Sequence, residues 1–366
     1  MEFYPITAAL IQKLRINNKI MVNFYFAAKN TSNNIFAFIF IMLFFMTFCS
    51  DVYAFDVGVC THVESYPKSG KDIVTAIDKL RVNSIRDDIK WSQVESQRNE
   101  LKIDRLSKLD YVINTLSAKD FKVLLVLSGG NKLYTNERYP DSDDSLTGFL
   151  RYVDFVSKKM KGRVAYYELW NEWTLSTRFK NGEDSERKYL KLVKMASEII
   201  RKNDSRVKII IGGVNPLAQK GRYLNRTDSE WLFDLIDKGI MKYADAISIH
   251  LYTSDNEIGY REPRDYFKVI DLFSGLVNNK SGLNIPIYVT EVGIPAFPFK
   301  YGHSRGYIDK YINSFYFEAL KRSYIKGFWW YDLKDDGVSL NNKEAHFGLF
   351  NNEFSIKADS NNVFIK

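Results

Sequence analysis

Cysteine and histidine are both scarce in this chain of 366 residues, which contains two Cys and four His. Cys49 lies in an N-terminal segment that we expect to be removed, so Cys60 would remain alone and an intramolecular disulfide is excluded. No His or Cys pair has the short spacing of a zinc motif. The sequence therefore predicts no metal site and no organic cofactor.

Long hydrophobic runs are also absent, since none reaches the 18 or more residues expected of a membrane-spanning helix. The N-terminal run Ile35–Phe48 has 14 residues, follows four basic residues and precedes the small residues Val52 and Ala54. This pattern is typical of a signal peptide over residues 1–54, with cleavage after Ala54. An uncleaved anchor is the alternative. We expect a secreted or periplasmic protein with no stable membrane span after cleavage.

A strong excess of one charge is missing as well, with 52 Lys and Arg against 44 Asp and Glu and a net charge of +8. Removal of residues 1–54 takes away four basic and two acidic residues and leaves +6. The basic residues are scattered and form no block with interleaved aromatics, so nucleic acid is not an expected partner. A preference for an acidic polymer is the alternative to an ordinary solvated surface.

Aromatic residues, in contrast, make up 15% of the chain, with 26 Phe, 23 Tyr and 6 Trp. Together with 45% hydrophobic residues, they provide ample apolar area for a large core. Aromatic faces exposed in a cleft also stack on sugar rings. No linker or change of composition divides residues 55–366, so we predict a single domain and, by default, a monomer.

From Phe55 onward, eight β-rich runs alternate with seven amphipathic helical patterns. This alternation predicts an α/β fold, a single (β/α)8 TIM barrel. A doubly wound sheet is the alternative, but no glycine-rich phosphate fingerprint follows the first strand. The chain after Phe350 is short, so we expect the final helix to be short or missing. The predicted strands are Val57–His62, Ser84–Trp91, Lys122–Leu127, Tyr166–Glu172, Val207–Ile211, Ala246–Tyr252, Ile287–Val292 and Gly327–Tyr331.

The carboxyl ends of the strands in such a barrel share one face, and this face carries the chemistry. Residue types that bind sugars or transfer protons collect at the predicted strand ends. The candidate site residues are His62, Arg86, Trp91, Asn131, Asn171, Glu172, His250, Tyr252, Glu291 and Trp330.

Glu172 and Glu291 lie at the ends of the fourth and seventh predicted strands. Two opposed carboxyl groups with separated pKa values are what glycoside hydrolysis requires. Arg86 and a hydrogen bond from Tyr252 would favour the ionised form of Glu291. We expect Glu172 to lie among neutral aromatic and amide groups that favour its protonated form.

The remaining candidates are expected to bind substrate. Asn171 could hydrogen-bond a sugar hydroxyl, and Trp330 is predicted to form a flat floor for a sugar ring, whereas Trp329 should point the other way. A place in the core or at a loop is the alternative for four of them, namely His62, Trp91, Asn131 and His250.

The sequences Trp170-Asn171-Glu172 and Thr290-Glu291-Val292-Gly293, with Arg86-Asp87 and Phe328–Asp332, resemble those of clan A of the retaining glycoside hydrolases. More narrowly, the chain resembles family 39 and the related bacterial exopolysaccharide endoglycosidases, from Val57 to about Phe350. The resemblance implies an O-glycosyl hydrolase with Glu172 as acid/base and Glu291 as nucleophile.

Family 39 xylosidases and iduronidases carry an accessory β-sandwich, for which this chain has no room. We therefore expect endo action on a bacterial exopolysaccharide or another polysaccharide, with polysaccharide or oligosaccharide as the binding partner. A glycan-binding protein on a decayed glycosidase barrel is one alternative. A barrel isomerase or aldolase is another, although no phosphate-binding loop or Schiff-base lysine is evident.

Overall fold

A computed structural model describes residues 55–177, 183–217, 227–252, 262–296, 303–339, 341–357 and 364. The predicted signal peptide, residues 1–54, lies outside the described residues and stays a prediction. No helix in the described ranges is long and apolar enough to cross a membrane.

Eight parallel strands close into a barrel in the order β1, β2, β5, β6, β7, β8, β9 and β10, with β10 paired to β1. The predicted fold class is therefore confirmed. The strands β3 (Glu95–Gln97) and β4 (Glu100–Leu101) form a separate antiparallel hairpin. The barrel strands are β1 (Asp56–Cys60), β2 (Ser84–Lys90), β5 (Lys122–Ser128), β6 (Tyr166–Leu169), β7 (Lys208–Val214), β8 (Ala246–Leu251), β9 (Ile287–Val292) and β10 (Ile325–Trp330).

Helices connect successive barrel strands, and all seven predicted helices are present with shifted ends. The two short helices α2 and α5 were not predicted. The helices are α1 (Gly70–Ile77), α2 (Trp91–Val94), α3 (Ser107–Ser117), α4 (Asp143–Lys159), α5 (Trp173–Thr177), α6 (Glu183–Asn203), α7 (Asp228–Asp237), α8 (Pro263–Ser281) and α9 (Arg305–Leu320).

Local sequence accounts for several helix starts. The side chains of Ser69, Ser142 and Thr227 each accept a hydrogen bond from the backbone N–H three residues later. The side chain at that later position accepts one from the backbone N–H of the Ser or Thr. These reciprocal bonds satisfy N–H groups that have no partner within the helix. The helices therefore begin at defined residues.

Alternation along the strands divides the apolar side chains into two cores. The larger core lies between the strands and the surrounding helices. A smaller core fills the barrel centre and draws one or two residues from most strands. Its members are Cys60, Leu124, Val126, Tyr166, Ile210, Ala246, Tyr288 and Trp329.

The chain after β10 contains no α-helix within 331–339, 341–357 and 364, in agreement with the expected short or missing final helix. Phe364 is fully buried and packs against Phe328 and Trp330, at ring-centroid distances of 5.8 and 6.5 Å. Its carbonyl accepts a hydrogen bond of 2.7 Å from the backbone N–H of Arg81. Phe364 thus covers part of the strand surface that a helix would otherwise cover.

We predict that Phe364→Ala lowers the free energy of unfolding by about 3–5 kcal/mol, because it leaves a cavity against β10. Urea denaturation followed by circular dichroism measures this change. Phe317→Ala is the control, since Phe317 is 57% exposed and should change stability little. Equal effects of the two substitutions would contradict the role assigned to Phe364.

Candidate active site

A strained turn just after β6 places Glu172. The backbone of Trp170 and Glu172 has φ values of +76° and +46°, which side chains with a Cβ atom rarely adopt. The neighbouring strand β7 makes room through Gly212 and Gly213, with φ values of +124° and +58°. A Cβ atom on Gly213 would stand 3.0 Å from the backbone nitrogen of Glu172, so glycine is needed there.

A bulge in β9 places Glu291. Val289 pairs with Ile249 of β8, whereas the next paired residue is Glu291, opposite His250. One extra residue, Thr290, is therefore inserted into β9. As a result, both Thr290 and Glu291 face the barrel interior, while the valines on either side pack outward into the larger core.

Glu172 and Glu291 face each other across a cavity of about 460 Å³ at the carboxyl ends of the strands. One carboxylate oxygen from each and one ring nitrogen of His250 all lie within 4.8 Å of one another. The same cavity exposes Asn171 and Tyr252, and Tyr331 with Phe347 forms an aromatic wall with ring centroids 5.7 Å apart. The structure thus brings the predicted carboxylates together.

Glu291 is surrounded by donors. Arg86 Nη1 donates to its Oε1 at 2.8 Å, and the Tyr252 hydroxyl donates to its Oε2 at 2.9 Å. Burial alone would raise the pKa of Glu291, but the His250 and Arg86 charges and the Tyr252 hydrogen bond outweigh it and lower the pKa. Both contacts predicted for Glu291 are present, and they keep this carboxyl group ionised.

His250 is fully buried and does not line the cavity. Its Nδ1 lies 3.0 Å from Glu172 Oε1, and its Nε2 lies 3.7 Å from Glu291 Oε1. Burial disfavours the charged imidazole, yet the two carboxylates outweigh it and raise the pKa of His250. The expectation of neutral surroundings for Glu172 is therefore wrong, because a basic ring contacts its carboxyl group directly.

His62 lines the cavity beside Asp88 and within reach of the buried Asp332. Its ring nitrogens lie 3.7 Å from Asp88 Oδ1 and 3.5 Å from Asp332 Oδ2. Burial opposes the imidazolium form, but Asp332, Asp88 and Asp87 outweigh it and raise the pKa of His62 to about 10. His62 therefore carries a positive charge next to the two catalytic candidates at neutral pH.

Four predicted substrate contacts are wrong, since Trp330, Trp91 and Asn131, like His250, do not line the cavity. Trp330 is 1% exposed and packs outward against Tyr311, whereas Trp329 points into the barrel and donates to the hydroxyl of Ser84 at 3.0 Å. The predicted orientations of the two tryptophans are thus reversed. Tyr331, the next residue, is the aromatic side chain that lines the cavity.

The predicted substrate contacts of Trp91 and Asn131 are also wrong. The strand β2 ends one residue before Trp91, which begins α2 with its side chain fully buried. Trp91 Nε1 donates to Glu95 Oε2 at 2.6 Å, and Asn131 Nδ2 donates to the Glu95 carbonyl at 2.8 Å. Both side chains therefore anchor the loop segment around the β3–β4 hairpin and do not line the cavity.

Glu168 was missed by the sequence analysis, although it lies in the centre of the site. It is fully buried, and its two oxygens accept from Arg86 Nε at 2.8 Å and from Thr290 Oγ1 at 3.0 Å. A sequence signal existed, because Glu168 stands two residues after Tyr166 on the fourth strand and so shares its inward face. A carboxylate at such a position is rarely buried without a charged partner.

A cation could be held only by the trio of Glu172, His250 and Glu291 among the described residues, on the basis of ligand spacing. The Arg86 guanidinium already supplies positive charge to Glu291 at 2.8 Å. Glu291 therefore already has a cationic partner within the site.

Two opposed carboxyl groups at the carboxyl face of a closed parallel barrel are an arrangement that glycoside hydrolysis can use. The family model for cellulase, glycosyl hydrolase family 5, matches residues 51–335, and the chain belongs to this family. The expected resemblance to clan A is confirmed. The chain is accordingly an O-glycosyl hydrolase.

Solved structures with the same fold include a family 39 glycoside hydrolase from the gut symbiont Bacteroides cellulosilyticus WH2, at 22% identity and a TM-score of 0.63. The match covers 82% of this chain and 61% of that protein, so this chain spans less than two thirds of its length. GH5_18 from Streptomyces cattleya, in complex with GlcNAc, matches at 10% identity and a TM-score of 0.64, over 84% of this chain and 78% of that one.

Native xylanase 10B from Thermotoga maritima matches at 13% identity and a TM-score of 0.57, over 83% of this chain and 92% of that one. At these identities the likeness shows the fold. No curated protein sequence matches the chain.

We predict that His62→Gln lowers the melting temperature by at least about 2 °C at pH 6 and has no effect near pH 10.5. The folded-state pKa of about 10 exceeds the usual 6.5, so the stabilisation is complete below pH 6.5 and disappears as pH rises through 10. Thermal unfolding of both proteins across this range measures the difference. A gap that does not change with pH would contradict this assignment.

Proposed function

We propose that the protein is a retaining glycosidase that acts within polysaccharide chains, with Glu172 as the general acid/base and Glu291 as the nucleophile. The observation that carries the proposal is the approach of their carboxylate oxygens to within 4.8 Å. Retaining enzymes hold the two carboxyl groups about 5–5.5 Å apart, whereas inverting enzymes leave about 6.5–9.5 Å for a water molecule.

The electrostatics support this division of roles. Glu291 accepts two hydrogen bonds and has a lowered pKa, as a group that must attack in its ionised form requires. Glu172 is more exposed, with 29% of its side chain accessible, and faces the cavity from the opposite strand. It is therefore placed to reach the glycosidic oxygen and, later, a water molecule.

The reaction then has two steps. Glu291 attacks the anomeric carbon while Glu172 gives its proton to the leaving oxygen, and a glycosyl–enzyme ester forms. Glu172 next removes a proton from water, which attacks the same carbon and releases the sugar with its original configuration. The Arg86 and Tyr252 donors hold Glu291 in place throughout both steps.

The cavity wall and the N-terminal segment support a substrate class and a location. The cavity has an aromatic wall of Tyr331 and Phe347, and stacking of sugar rings on such a wall suits a chain of sugars. The apolar run before residue 54 supports export to the periplasm or the medium. A bacterial exopolysaccharide is the substrate class that we propose for such an enzyme.

We predict that Glu172→Gln and Glu291→Gln each lower kcat on a polysaccharide substrate by about 1,000-fold or more, since each loses one chemical role. Mass spectrometry with a panel of 2-deoxy-2-fluoro activated glycosides separates the roles. Wild type and Glu172→Gln should form a glycosyl adduct on Glu291, because an activated leaving group needs no acid. Glu291→Gln should form none.

Glu353→Gln is the matched control, because Glu353 is exposed on the surface and its loss should leave kcat unchanged. Substantial turnover by both active-site variants would refute the proposed roles. Glycan binding by the wild type without any product over a long incubation would instead favour the decayed barrel that only binds glycans.

A further inference from the structure

We propose that Glu168 is a positioning residue for this reaction, which fixes the Arg86 guanidinium so that it holds Glu291 and Asn171 in one arrangement. The inference rests on the proposed function of Glu291 as nucleophile. Glu168 itself is fully buried and does not line the cavity, so it acts through Arg86 and not on the substrate.

The hydrogen bonds of Arg86 show how such a fixation works. Its Nε donates to Glu168 Oε2, its Nη1 to Glu291 Oε1 and its Nη2 to Asn171 Oδ1, each at 2.8 Å. The guanidinium is planar and rigid, so these three directions are set together. With Nε anchored to Glu168, the other two nitrogens can point only toward the residues that face the cavity.

Glu168 also reaches Glu291 by a second route. Its Oε1 accepts from Thr290 Oγ1 at 3.0 Å, and Thr290 is the extra residue of the bulge that turns Glu291 inward. One carboxylate thus contacts both the cation that pairs with the nucleophile and the backbone segment that carries it. His250 Nε2 lies 3.9 Å from the same Oε1, so the charge of Glu168 also acts on His250.

Replacing the carboxylate by an amide changes the charge balance in the barrel. Arg86 is shared by two carboxylates in the wild type, and in Glu168→Gln only Glu291 would remain as its charged partner. Ionised Glu291 would then be held more tightly and would attack more slowly. The other titratable groups that face Glu291 are Cys60, His62, Glu172, His250, Tyr252 and Tyr331.

The test is the rate at which Glu291 is labelled by 2,4-dinitrophenyl 2-deoxy-2-fluoro glucoside, mannoside, galactoside and xyloside. The final extent of labelling counts correctly folded sites, and the rate constant reports the reactivity of those sites. We expect Glu168→Gln to label fully but about 100-fold more slowly, the size of effect that a small misplacement of reacting groups produces.

A second measurement does not depend on the sugar. In protein labelled with 13C at the glutamate carboxyl carbons, the Glu291 signal is assigned by its loss in Glu291→Gln and titrated with pH. We expect its pKa to be lower in Glu168→Gln than in wild type. Glu168→Asp keeps the charge, so its Glu291 pKa should return close to the wild-type value.

Asp56→Asn is the matched control, because Asp56 is a second buried carboxylate in the same barrel, bonded to Lys122 and Tyr166 at the opposite end. It should lower the folded fraction without changing the labelling rate constant of the folded sites.

If Glu168→Gln is labelled at the wild-type rate and its Glu291 titrates as in the wild type, the positioning role is overturned. A loss confined to the extent of labelling would overturn it as well. If the wild type itself forms no adduct on Glu291, the proposed nucleophile fails. The carboxyl titration then still decides whether Glu168 controls Glu291.

Discussion

The buried guanidinium of Arg86 is the interaction on which the site depends. It joins β2 to β6 through Glu168, to the turn after β6 through Asn171, and to β9 through Glu291. A buried ion pair is strongly destabilised when one partner is removed, because the other charge stays out of water. The arrangement is therefore either formed completely or very unfavourable, which suits a reaction that needs fixed distances.

Two departures from regular strand geometry lie next to the ion pairs of Arg86. The turn after β6 holds Glu172 at a positive φ, and the bulge in β9 brings Thr290 and Glu291 inward together. The strand β7 also has a bulge at Gly212 and Gly213, beside the turn that carries Glu172. Each departure disrupts local hydrogen bonding, and the regular barrel around it holds it in place. Glu172 and Glu291 therefore meet where two strands depart from regular geometry.

Much of this could be predicted from the sequence. Eight strands and seven helices follow from residue periodicity, and Glu172, Glu291, Arg86 and Tyr252 stand where strand ends must converge in a barrel. Trp330 was misplaced because Phe-Trp-Trp-Tyr has no polar alternation to mark the inward face. Its neighbour pairing is also irregular, since the register of β10 against β9 shifts between Phe328 and Trp330.

The sequence by itself determined the barrel and the clan, since both depend on periodicity and on short motifs that survive any local shift of register. Only the tertiary structure decided which charged side chains contact one another. Glu168 and His250 acquire their roles from neighbours 41 to 122 residues away in the chain. Bulges at single residues then decide which way a side chain points, and a sequence pattern read with a fixed period of two carries no record of them.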